Sequence, residues 1–305
     1  MIDRLARGEK CVIWVSGISP HAQWALEMKS RYSDKTSLVF TAHGLVTVEA
    51  RMGYSYDERA FALEKSLLTG ADACVFVSNR LSRLAGKEYE LAHSRVHVIP
   101  NGVEEKFLTS ISPGTVATEI GGKNYILAVT GVRRVKGLDF LLESVRSLGD
   151  VDAICVIVGH VLDEAYDTEL RSKYSDLFGS GRVRIMSEVT ESELLALYDG
   201  CVLSVLPSEY EPFGMVALES MARGKATIVS DRAGILDFLH PGEDVVTVAY
   251  GDSSQLGAVL RRLLLNESVR AEIGAHGKEA AARMVWKETA KQYRALFENL
   301  AVRQP

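Results

Sequence analysis

The chain has 305 residues, 47% of them hydrophobic, with 35 Lys and Arg against 40 Asp and Glu for a formal net charge of −5. That length accommodates two domains with full cores, and the acidic balance argues against a nucleic-acid binder. No apolar run approaches the roughly 18 residues that span a bilayer, and no signal peptide opens the sequence.

Taken in order, residues 10–15 read as a strand, 20–29 as a helix and 37–41 as a second strand ending in Ala42-His43-Gly44. A helix near 56–69 follows, then a strand over 73–77, and Ser78-Asn79 forms an N-cap for a helix over 80–89. Residues 96–99 run into Pro100-Asn101-Gly102-Val103, a turn signal. Strands alternating with helices predict a parallel, doubly wound sheet. His43 stands at the carboxyl end of a strand, where such sheets bind ligands, although a lone histidine there is more often a structural residue. Residues 109–122 are rich in Ser, Thr and Gly without apolar period and read as a linker.

The second half opens with a strand over 125–130 and the loop Gly131-Val-Arg133-Arg134-Val-Lys136-Gly137. Three cations between a strand and a helix can gather around an anion; a solvated basic turn is the plainer reading. Strands follow over 153–158 and 183–187, then a helix over 191–198. The stretch from Cys201 to Ser230 reads as strand, polar turn, short helix and strand, one βαβ unit. Within its helix, over 214–223, the expected buried positions are Val216, Leu218 and Met221. The amides of Gly214, Met215 and Val216 have no intrahelical acceptor and suit a phosphate. Glu211 precedes that helix and Glu219 lies eight residues on. They serve as acceptors for sugar hydroxyls, or equally as a turn acid and a solvated helix acid. Helices over 255–265, 269–284 and 286–301 complete the chain, the last with Tyr293, Leu296, Phe297 and Leu300 on one stripe. Cys11, Cys74, Cys155 and Cys201 are widely spaced in apolar runs. They read as core residues of a reduced compartment, here the cytosol, and not as a disulfide frame or metal site.

The run Glu211-Pro-Phe-Gly-Met-Val-Ala-Leu-Glu219-Ser-Met-Ala-Arg-Gly, with flanks Leu206-Pro207-Ser208 and Ser230-Asp231, resembles the E-x7-E signature of retaining family-4 glycosyltransferases. The resemblance implies an α/β GT-B fold, two Rossmann-like doubly wound parallel-sheet domains facing across a cleft. Its expected parts are an N-terminal domain over 1–108, the linker 109–122, a nucleotide-sugar domain over 123–285 and a terminal helix over 286–305 that crosses back. Residues 10–44 resemble the later part of the family's first domain, so that domain is expected to be shortened.

The implied activity is retaining transfer from a UDP- or GDP-sugar to a hydroxyl of a saccharide or lipid-linked saccharide. No metal and no cofactor beyond the donor are expected. Glu211 then contacts the transferred sugar and Glu219 the ribose diol, while Phe213, Gly214, Met215 and Val216 form the phosphate-binding helix start. Lys136 and one arginine, Arg133 by preference with Arg134 in reserve, reach the diphosphate. His43, in Thr41-Ala42-His43-Gly44, faces the donor sugar, and Met186 with Ser187 cradles the nucleobase. The resemblance leaves peripheral membrane contact and a homo-oligomer open. Rival readings are a donor-binding subunit that needs a partner to supply the acceptor side, and a same-fold epimerase or inverting transferase.

Overall fold

The computed structural model of the chain describes residues 9–109, 120 and 124–302. These fall into two compact units, one from Met1–Gly102 with Trp286–Pro305, the other from Val103–Val285.

The first unit contains β1 (Cys11–Ser16), α1 (Pro20–Arg31), β2 (Thr36–Ala42), α2 (Val46–Arg51), α3 (Glu58–Gly70), β3 (Ala73–Phe76), α4 (Asn79–Tyr89) and β4 (Val96–Val98). Its four strands are parallel in the order β1-β2-β3-β4. β2 and β3 are buried almost throughout, which is why their sequences lack alternation. β1 lies at the edge and alternates, with Ile13 and Val15 buried and Trp14 51% exposed. Ser78 caps α4 by accepting the Leu81 N–H at 3.1 Å, as expected.

Helix α2 was absent from the sequence expectation, because a short Val-Thr-Val segment has poor helix propensity. It forms on a tertiary support. The buried carboxylate of Glu64, on α3, accepts the Val46 N–H, the Thr47 N–H at 3.1 Å and the Thr47 hydroxyl at 2.9 Å. Those bonds satisfy donors that a helix start leaves without partners.

The second unit runs through α5 (Glu105–Leu108), β5 (Tyr125–Val129), α6 (Leu138–Arg146), β6 (Ile154–Val158), α7 (Glu164–Lys173), α8 (Ser175–Gly179), β7 (Val183–Met186) and α9 (Glu191–Gly200). It continues with β8 (Leu203–Leu206), α10 (Met215–Ala222), β9 (Thr227–Ser230), β10 (Val246–Val248), α11 (Ser253–Leu265) and α12 (Glu267–Arg283). Six parallel strands lie in the order β10-β9-β8-β5-β6-β7. Numbered from β5, this is the doubly wound order 3-2-1-4-5-6, and it reverses between β5 and β8. Ile126, Cys155, Ile157, Leu203 and Ile228 from the strands pack with Leu138, Leu141, Val145, Leu256 and Leu260 from the helices in one core.

The unit boundary falls at Gly102 and Val103, ahead of the expected 108. Val103 bridges in parallel to Val285, and the Arg223 guanidinium reaches the carbonyls of Lys106, Phe107 and Thr109. Apart from Thr109 and Ile120, the expected linker over 109–122 lies outside the described residues. The last helix, α13 (Trp286–Val302), belongs to the first unit. Leu296 and Leu300 pack on Val39, Ala73, Val75 and Ile99, with Tyr293 and Phe297 against the same cluster. Among the described residues no helix is long and apolar enough to cross a membrane.

Candidate functional site

In a doubly wound sheet the ligand crevice opens at the carboxyl ends of the strands, where the strand order reverses. Two loops leave β5 and β8 at that point in the second unit, and backbone bonds lock them together. Glu209 N–H donates to Val135 O at 2.8 Å, joining the loop after β8 to the loop after β5. Ser230 Oγ donates to Ser208 O at 2.6 Å, Gly234 N–H to Glu211 O at 2.9 Å and Ile235 N–H to Phe213 O at 2.6 Å. The Glu211-Pro-Phe-Gly turn is thus held by the main chain of Gly234 and Ile235, and the residues just before it by Val135 and Ser230.

This frame brings Lys136 and Glu211 together, with Nζ 3.0 Å from Oε2 and the side chains 23% and 15% exposed. Gly137, at φ 67°, lets the loop after β5 pack directly against the loop after β8. A Cβ there would run into the Pro207 carbonyl oxygen and lie 3.2 Å from Cε2 of Tyr250. Gly137→Ala therefore combines a left-handed conformation, costing about 1–2 kcal/mol, with a backbone clash that forces the two loops apart. We expect a lower melting temperature in thermal denaturation, with a loss exceeding the conformational cost alone.

Gly214 precedes α10 at φ 119°, and a Cβ on it would lie 3.2 Å from Leu206 Cδ2 and 3.3 Å from Ile235 Cγ2. The first intrahelical bond is given by Ala217 N–H to Gly214 O at 3.1 Å. The amides of Gly214, Met215 and Val216 precede it and carry the positive end of the helix. Phe213 is buried, its ring 6.1 Å from that of Phe238. Leu218 and Met221 are buried as expected, but Val216 is only half-buried and Ala217 takes the core position beside Leu218. The residue expected in the core instead stands partly open at the helix start.

Glu219 is half-buried on α10 and accepts a hydrogen bond from the Tyr198 hydroxyl at 2.9 Å. Burial raises its pKa to about 7, against the opposing effect of the Tyr198 bond. Arg134, the reserve arginine, is turned toward the helices: its guanidinium pairs with Glu169 at 2.6 Å and lies 4.8 Å over the Tyr166 ring. Arg133 is half-buried on extended backbone at the start of the Arg134–Lys136 3-10 turn. Met186 ends β7 half-buried, and Ser187 is exposed just beyond it. Among the described residues no group of three or more His, Cys, Asp or Glu is arranged to hold a metal ion.

His43 belongs to the first unit and follows β2 directly, with Nε2 2.9 Å from Ser16 Oγ. Desolvation by crowding neighbours lowers its pKa, favouring the neutral ring even though one edge is exposed. It lines a cavity of about 690 Å³ with Trp14, Asn101, Trp286, Tyr293 and Phe297 among the other walls. Reasoning from sequence missed Tyr198, Glu64 and Arg223. No local pattern could have found them, because each acts on a partner at least 17 positions away.

Two parallel-sheet units, the first of four strands in sequential order and the second doubly wound with its ion pair and helix start at the switch point, define a GT-B protein. The family model for glycosyl transferases group 1 matches residues 116–280, and that for glycosyltransferase family 4 matches residues 4–107. The chain belongs to the glycosyl transferases group 1 family.

It is 27% identical over 228 residues to mannosylfructose-phosphate synthase of Agrobacterium fabrum, covering 70% of this chain and 50% of that protein. It is 26% identical over 251 residues to a D-inositol 3-phosphate glycosyltransferase of Thermobifida fusca, covering 75% and 57%. The chain thus spans about half to three fifths of the length of these relatives. Among solved structures, sucrose-phosphate synthase from Thermosynechococcus elongatus superposes with TM-score 0.77 at 21% identity, covering 98% of this chain and 75% of that one. Anabaena HepE in complex with UDP gives 0.79 at 16%, covering 98% and 81%. At these identities the structural likeness establishes the fold.

Proposed function

We propose that the chain is a retaining glycosyltransferase that moves a sugar from a UDP- or GDP-sugar to a hydroxyl of a saccharide or lipid-linked saccharide. The observation that carries this reading is the Lys136–Glu211 pair, 3.0 Å apart at the switch point beside the start of α10. A diphosphate arriving there exchanges one partner of Lys136 for another and frees Glu211 to accept hydrogen bonds from sugar hydroxyls. As the glycosidic bond breaks, charge builds on the departing diphosphate. Lys136, Arg133 and the amides of Gly214, Met215 and Val216 stabilise it more than they stabilise the bound donor. Arg133 takes that place over Arg134, which Glu169 and Tyr166 hold elsewhere.

The anomeric carbon becomes oxocarbenium-like, and the acceptor hydroxyl attacks from the face that the diphosphate leaves. Its proton passes to a departing phosphate oxygen, so configuration is retained without a covalent glycosyl-enzyme. In this proposal Glu219 grips the ribose diol, Met186 and Ser187 cradle the base, and neutral His43 hydrogen-bonds the transferred sugar. The cations supply the charge that a metal would otherwise provide. The four cysteines are free thiols, three of them buried, which supports a cytosolic setting. HepE, solved with UDP and with UDP-glucose, supports a nucleotide-sugar donor by analogy of fold.

A thermal-shift panel of UDP- and GDP-sugars tests the donor, since a ligand that binds only the native state raises the melting temperature. We expect one donor class to raise it, transfer to persist in a chelator, and the product anomer to match the donor. No shift with any donor refutes the reading; an inverted anomer refutes retention; loss of turnover in chelator refutes metal independence. Donor binding without transfer would favour the donor-binding subunit.

A further inference from the structure

We infer that Tyr198 is a positioning residue that aims the Glu219 carboxylate at the ribose of the donor nucleotide. The inference rests on the donor-binding reading above and deepens it.

Tyr198 lies on α9, fully buried, and its hydroxyl stands 2.9 Å from Glu219 Oε2 and 3.3 Å from the Val216 carbonyl. A phenol has one hydrogen to give, and the shorter contact assigns it to the carboxylate. Burial, then the neighbouring Glu219, push the phenol well above its ordinary pKa, so it remains a donor across the working pH range. The ring is fixed from the other side by Phe107, edge to face at 6.0 Å. Phe107 is on α5, which an ion pair from Lys106 to Glu191 holds against the start of α9 at 2.6 Å. The hydroxyl therefore has little freedom to follow the carboxylate if it moves, and the carboxylate must conform to the phenol.

The choice of a phenol has a chemical consequence. A guanidinium would engage both carboxylate oxygens in a fork and cancel their charge. One O–H engages Oε2 and leaves Oε1, with the remaining lone pairs, to accept from two neighbouring hydroxyls. A vicinal diol is the group that such an acceptor pair fits, and a 2′-deoxyribose lacks half of it. The charged and titratable groups around Glu219 are Tyr198 and Lys106, which favour its ionised form, and Glu104, which opposes it. Lys106 is itself paired with Glu104 at 2.9 Å and Glu191 at 2.6 Å.

The diol is held best by the carboxylate, so donor affinity rises with pH toward the Glu219 pKa of about 7 and levels off above it. Removing the Tyr198 O–H removes a bond that favours ionisation, so the midpoint moves up.

The test is isothermal titration of UDP, GDP and their 2′-deoxy counterparts into the full chain and into Tyr198→Phe, from pH 5.5 to 9. Phenylalanine keeps the ring against Phe107, so folding is preserved, and the melting temperature of each protein confirms it. We expect the unaltered chain to prefer the ribonucleotide of the base it reads. We expect Tyr198→Phe to shift the binding midpoint upward by roughly one pH unit and to lose most of the ribose-over-deoxyribose preference. An identical midpoint and an identical preference in both proteins overturn the positioning role alone. No binding of any nucleoside diphosphate by the unaltered chain removes the donor reading, and this inference with it.

Discussion

Lys136→Ala lowers kcat at saturating donor by roughly 10²–10³-fold, the scale seen when one preorganised donor to a developing negative charge is removed. Within the proposed mechanism the loss falls on turnover more than on donor binding. The diphosphate gains charge as the sugar departs, and an ammonium beside it acts chiefly on that increment. The site is shielded: the Lys136 and Glu211 side chains are 23% and 15% exposed, so water screens the missing charge poorly. Alanine also leaves the Glu211 carboxylate without this cation, so the melting temperature must be read alongside the rate. Lys136→Arg serves as the control. It keeps the charge but replaces a compact ammonium, 23% exposed and 3.0 Å from Glu211, with a bulkier planar fork. We expect it to recover only part of the activity. Unchanged kcat in the alanine variant would remove Lys136 from the reaction.

The second large effect is on stability. The Arg223 side chain is 3% exposed and pairs through two nitrogens with the Asp199 carboxylate, itself 24% exposed. It also donates to the carbonyls of Lys106, Phe107 and Thr109. Arg223→Ala strips a partly buried carboxylate of its cation and leaves those carbonyls short of a donor. Breaking a buried pair from one side costs about 3–5 kcal/mol, and the partial exposure of Asp199 places this case near about 3 kcal/mol. For a unit of this size that corresponds to a fall of roughly 6–12 °C in melting temperature. Arg223→Ala with Asp199→Ala should recover part of the loss, because no orphaned carboxylate remains. A fall of under a degree in the single variant would show that the pair contributes nothing.

Much of the second unit was readable in advance because its signals are local. The buried strand before Pro207, the turn through Phe213 and the glycine-led helix occupy consecutive residues, and each follows from hydrophobic pattern or backbone freedom. The helix start after Ser78 was readable for the same reason. Val216 was misplaced because helical period defines a face to within one position, and Ala217 turned out to occupy it. Helix α2 was missed because its nucleus is Glu64, 18 positions from Val46.

The candidate site divides along the same line. The cations after β5 and the acids around α10 were visible as residue types in suggestive loops. Which cation met which acid was not visible: Lys136 and Glu211 are 75 positions apart, and Arg134, two residues from Lys136, went to Glu169.

Local periodicity and the placing of glycine, proline and capping residues were enough to specify parallel strands alternating with helices, because those signals encode burial and backbone freedom one residue at a time. Partnership was decided in three dimensions. Strand order set β5 beside β8 and so paired Lys136 with Glu211, the packing of α9 supplied Glu219 with Tyr198, and the apolar stripe of α13 found its cover on β2 and β3. Side chains dozens of residues apart meet only after the backbone hydrogen bonds have chosen a topology, and no window along the chain contains that choice.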